Sequence, residues 1–141
     1  MTVRVSRTFE FAAPVEDVWG FIADPGKRAG AISVVASFEV DAPDATWQVA
    51  LPIPIVRSTV TVETEETARN PPHYVQFVGT SRVFRVRGEH IIKETEGGCR
   101  LVNEFVVDGR LPGVERFFEK NFDDELSNLE SALRRDLGLT A

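Results

Sequence analysis

The stretch VERFFEKNFDDELSNLESALRRDL, residues 114–137, decides the fold. Its apolar residues Val114, Phe118, Phe122, Leu126, Leu129, Leu133 and Leu137 recur at the spacing of one helical face, and Phe117 widens the stripe. The opposite side carries Glu115, Glu119, Lys120, Asp123, Asp124, Glu130, Arg134 and Arg135. Pro112 and Gly113 break the chain before the run, and Gly138 is placed to end it. At the usual rise such a helix is about 36 Å long, and its single apolar stripe must be buried against another layer.

The chain upstream supplies that layer. From Val3 to Phe11 the apolar residues fall on odd positions (Val3, Val5, Phe9, Phe11), the period of a half-buried strand. Pro14, Glu16 and Asp17 then open a short helix carrying Val15, Val18, Trp19 and Ile22, which stops near Asp24 because Pro25 and Gly26 follow. A second short helix is expected over 27–31. Strand-like runs follow at 33–41, 45–51, 56–66, 73–79, 82–94 and 100–108, separated by Pro, Gly, Asn and Asp turn signals. Their connections are too short for crossover helices, so the sheet is expected to be antiparallel. The reading is α+β: a curved seven-stranded antiparallel sheet around one long C-terminal helix, with two short helices after the first strand and residues 1–141 forming a single domain.

On the sixth strand Phe84, Val86, Gly88, His90 and Ile92 share one face while Arg85, Arg87, Glu89 and Lys93 share the other. A turn at Thr80 and Ser81 places Phe77 opposite Phe84 and Val75 opposite Val86. A turn at Gly97 and Gly98 pairs Ile92 with Asn103 and His90 with Phe105, making His90 and Asn103 diagonal neighbours. A sheet that must curl around one helix leaves space beside it. Two outcomes stay open: a pocket, or a trough plugged by Trp47, Phe38, Phe105 and the helix phenylalanines.

Composition excludes several classes of function. A net charge of −6 works against a nucleic-acid partner, and the alternation Arg82, Arg85, Arg87 followed by Glu89 reads as a solvated sheet face. One cysteine and two histidines give no spaced set for a metal, and no cofactor motif is present. The paired acids Glu65 and Glu66, and Asp123 and Asp124, lie mostly on solvated faces by phase. No apolar run approaches the ~20 residues of a transmembrane helix, and the first residues alternate instead of forming a secretory signal, so the expected compartment is the cytoplasm. A weak homodimer is compatible with this reading.

Three polar residues break the apolar inner face: Arg7, His90 and Asn103. Buried polar groups need partners, from each other, from backbone or from a ligand. His90 is the one candidate for proton transfer, since free histidine titrates near ~6.5. The candidate ligand contacts are therefore Arg7, Trp47, Phe77, Phe84, His90, Asn103, Phe105, Phe118 and Phe122.

The segment APVEDVWGFIADP, residues 13–25, resembles the first helix of the START-like, birch-pollen-allergen-like superfamily, also called SRPBCC or helix-grip. The resemblance spans essentially the whole chain. Residues 23–32 are similar to the superfamily's carbon-monoxide-dehydrogenase accessory-subunit branch, with the polyketide cyclase/dehydrase and lipid-transport branch close behind. The resemblance implies a cavity for an apolar small molecule or lipid, in a carrier or sensor. Two alternatives it carries are a cyclase or dehydratase with His90 moving the proton, and an accessory protein that recruits a redox enzyme to the membrane. It also implies a gate at the loop LPIPI, residues 51–55, through Pro52, Ile53 and Pro54.

Overall fold

The computed structural model describes residues 2–51, 59–111 and 113–139. The chain runs β1 (Thr2–Phe11), α1 (Val15–Ile22), α2 (Pro25–Gly30), β2 (Val35–Asp41), β3 (Asp44–Val49), β4 (Val60–Asn70), β5 (Tyr74–Thr80), β6 (Phe84–Thr95), β7 (Gly98–Gly109) and α3 (Val114–Asp136). The strands form one antiparallel sheet in the order β1-β7-β6-β5-β4-β3-β2. This is the helix-grip arrangement: α3 lies in the concave face, and its residues Val114, Phe118, Phe122, Leu126, Leu129 and Leu133 are all buried. The anticipated stripe is the buried one because the 3.6-residue period alone fixes which side of the helix is apolar. Among the described residues no helix is long and apolar enough to cross a membrane.

The two short helices are set by local chemistry. Asp24 Oδ1 accepts from Gly26 N at 2.8 Å and Lys27 N at 3.2 Å, and Pro25 occupies the first turn, so α2 begins two residues earlier than expected. Irregularities in register, after Val35 in β2 and after Glu66 in β4, interrupt the ladders. Such bulges sharpen local twist and help the sheet curl. At the edge strand β2, Phe38 is 40 % exposed and packs beside the glycines of α2, outside the trough it was expected to help plug.

Two strand registers differ from expectation. Phe77 faces Gly88, and Val75 faces His90, a shift of four residues from the Phe77–Phe84 pairing. The turn is wider because Ser81 Oγ accepts from Val83 N (3.1 Å) and Phe84 N (3.0 Å) and donates to Phe84 O (2.8 Å), holding residues 81–84 out of the β5–β6 ladder. In the next hairpin His90 pairs directly with Asn103 and Ile92 with Leu101, because Thr95 pairs with Gly98 and the turn falls on Glu96 and Gly97. Both shifts are even, so every side chain keeps its expected face.

Glycine is required at position 88. It lies between Phe77 on β5 and Phe105 on β7, and a Cβ there would sit 2.6 Å from Phe77 Cζ and 3.0 Å from Phe105 Cε1. The bare backbone lets both rings fold inward over the sheet. Gly88→Ala should therefore destabilise the protein by about 1–3 kcal/mol through overpacking, measured by urea denaturation; unchanged stability would show that the rings have room to move aside.

Candidate functional site

Between the inner face of the sheet and α3 lies a cavity of about 70 Å3. Aromatic rings make much of its wall. Phe77 meets Trp47 edge-on at 5.9 Å, Phe105 stacks on Phe122 at 5.5 Å, and Phe84 meets Phe118 at 5.2 Å, distances at which aromatic pairs attract. The sequence candidates Trp47, Phe77, Phe84, His90, Phe105, Phe118 and Phe122 all border this space. Arg7 and Asn103 do not; they stand behind it. The trough is thus largely filled by side chains but not closed.

His90, Asn103 and Arg7 form one connected polar chain across three strands. Asn103 is fully buried, pairs in register with both His90 and Arg7, and donates from Nδ2 to the Arg7 carbonyl at 3.1 Å. That bond turns its Oδ1 toward His90 Nδ1, 2.8 Å away, so Nδ1 carries the proton and Nε2 is left as an acceptor. Arg7 continues the chain into α3, donating to Asp123 O at 3.1 Å and Ser127 Oγ at 3.0 Å. Burial of the ring, assisted by the positive charge of Arg28, lowers the His90 pKa to about 4 against the weaker opposing effect of the Asn103 bond. His90 therefore does not keep the near-neutral value expected of it, and the ring is uncharged at neutral pH.

Arg28 is the residue sequence reasoning missed. On α2 it is only 6 % exposed, donates from one terminal nitrogen to Ile22 O at 2.7 Å, and stacks its guanidinium 5.2 Å from the centre of the Phe77 ring. Among the described residues its Nε has no partner, and neither does Trp47 Nε1. Desolvation lowers its pKa to about 10, with Glu66 and Asp24 opposing that shift and Arg69 adding to it. It stays charged at neutral pH. A signal was available: once Asp24 caps α2, residues Pro25, Arg28 and Ala29 share one face, and all three are buried.

Glu66 also differs from the solvated position expected of it. Its side chain is 5 % exposed and is held by Arg69, which also donates to Ala23 O at 3.0 Å and lies over the Trp19 ring. Glu125 sits at the cavity's rim and accepts from Ser33 N at 3.0 Å, from the Ser33 hydroxyl in a short bond, and from Asn128 Nδ2 at 3.2 Å. This carboxylate ties the segment between α2 and β2 to α3. The expected gate, Pro52, Ile53 and Pro54, lies outside the described residues. Among the described residues no group of three or more His, Cys, Asp or Glu is placed to hold a metal ion.

The family model described as "Polyketide cyclase / dehydrase and lipid transport" matches residues 2–134. The chain belongs to this family. Solved structures share its fold. A START superfamily protein from Mycobacterium smegmatis matches at TM-score 0.75 with 17% identity, covering 97% of this chain and 99% of that one. The Zhui aromatase/cyclase from Streptomyces sp. R1128 matches at TM-score 0.70 with 18% identity, covering 96% of each chain. A conserved protein from Geobacillus kaustophilus matches at TM-score 0.74 with 15% identity, covering 98% of this chain and 95% of that one. At these identities the likeness is one of fold. No curated protein is detectably similar in sequence.

The buried histidine of this family member gives a pH signature. Its folded value of about 4 lies below the unfolded value near 6.5, so the unfolded chain binds the extra proton between them. Stability should fall as pH drops through that window and level off below it. Wild type should lose about 3 kcal/mol more than His90→Gln between neutral pH and about pH 4, read by chemical denaturation at each pH. Parallel pH profiles would place the His90 ring in contact with water.

Proposed function

We propose that the protein binds a slender, mostly apolar small molecule in the cavity between the sheet and α3, as a carrier or sensor. The observation that carries this is the cavity itself, an apolar space walled by aromatic rings and fenced by few polar groups. Its size argues for a thin ligand: about 70 Å3 exceeds the room one water needs, yet falls far short of the ~300–1,000 Å3 typical of drug-sized sites. Burial of ~200 Å2 of apolar ligand surface would contribute about 5 kcal/mol before the costs of association.

Binding is better supported than proton transfer. A general base works best with a pKa near the working pH, and His90 is held well below it; its ring is also oriented by an amide where a carboxylate would strengthen it as a base. The family's own description spans both cyclase/dehydrase chemistry and lipid transport, and the transport side fits this site better.

Native mass spectrometry before and after organic extraction should reveal a retained small molecule or uptake of one from a panel of fatty acids, sterols and aromatic polyketides. An empty protein that takes up none of them would sink the proposal. The Ser33–Glu125 contact predicts how the ligand enters. Ser33→Ala should speed both association and release of a fluorescent apolar probe several-fold while stability changes by no more than about 1 kcal/mol; unaltered rates would put the entrance elsewhere.

A further inference from the structure

Two residues that border the cavity each carry a buried N–H with no partner among the described residues. Arg28 Nε and Trp47 Nε1 are both enclosed and unpartnered, and both residues border the same space. Both also pack against the ring of Phe77, Arg28 over its face at 5.2 Å and Trp47 edge-on at 5.9 Å. Native interiors leave few such N–H groups unsatisfied, because each one forfeits its hydrogen bond to water and gains none in return. On two residues bordering one apolar pocket and sharing Phe77 as a neighbour, they describe the missing partner.

We infer that the ligand ends in a carboxylate, received by Arg28 Nε–H and Trp47 Nε1–H, with its apolar chain lying along the aromatic wall. This rests on the binding function proposed above and names the class of molecule. Two donors ask for a group that only accepts, which an ionised carboxylate is; an alcohol would bring a hydroxyl proton needing an acceptor of its own. A guanidinium favours a carboxylate through charge-assisted hydrogen bonds.

The surrounding charges fit. Among the described residues Arg28 makes no ion pair: Glu66 is engaged by Arg69, and Asp24 caps α2. Both acids act on Arg28 only at longer range, leaving a cation with no direct carboxylate partner beside an apolar cavity. The other polar groups direct an anion to this end. Glu125 at the rim is itself negative and already bonded to Ser33 and Asn128, and His90, uncharged with Nδ1–H given to Asn103, presents only an acceptor.

Titration calorimetry of the whole chain, stripped of bound small molecules, with octanoate and with octanol near neutral pH tests the inference. Octanoate should bind about tenfold or more tightly than octanol. Trp47→Phe keeps an aromatic ring beside Phe77 but removes the N–H, and should cut that preference about threefold or more. Arg28→Met should abolish the preference. Arg28 also holds the end of α1, so Trp47→Phe, which leaves that contact in place, decides even where the Arg28 variant does not fold. Equal affinities in wild type, or a preference that survives Trp47→Phe, would overturn the carboxylate site and leave the binding function standing. Failure of octanoate and octanol alike to bind would overturn the carboxylate site, and if the lipid panel also fails, the binding function falls with it.

Discussion

The apolar stripe of α3 cannot stay in water, and the sheet is bent because it has to cover that stripe along the helix. Val114, Phe118, Phe122, Leu126, Leu129 and Leu133 are all buried, and the sheet buries alternate residues on its inner face from β1 across to β3. A helix is convex where a curled sheet is concave, but their curvatures do not match along the full width of seven strands. Large rings fill most of the difference. Gly88, by having no side chain, lets Phe77 and Phe105 lean inward from both sides, and the remaining unfilled space lies among these rings. The cavity is therefore a by-product of how a broad sheet is closed by one rod.

Polar groups in such an interior are tolerated only when their bonds are complete. Arg7, Asn103 and the Nδ1–H of His90 form such a chain, each satisfying the next, from α3 through β1 and β7 to β6. The chain fixes the tautomer of His90 and holds its ring stacked on Phe77. Its role in the site is to shape and orient the wall. Arg28 and Trp47 break the same condition, each with one enclosed N–H that has no acceptor among the described residues.

The helix stripe, the alternation of β1 and β6, and the order of elements were all legible in the chain, because periodicity is a local property and each residue's face follows from its neighbours. The even register shifts show the same rule from the other side. Pairing moved by four residues between β5 and β6 and by two between β6 and β7, yet no side chain changed face. What moved was which residue meets which. The side chain of Ser81 widens one turn, and the backbone of Gly98 closes the other, and neither effect follows from hydrophobic pattern.

The sequence by itself determined the α+β class, the antiparallel sheet, the buried side of α3 and the presence of three polar residues on the inner face, since strand and helix periods encode facing. Only the tertiary structure decided that His90 and Asn103 meet directly, that Glu66 turns inward to Arg69, and that Arg28 lies buried against Phe77. Each of these depends on how closely separate elements pack. Periodicity carries no record of that distance.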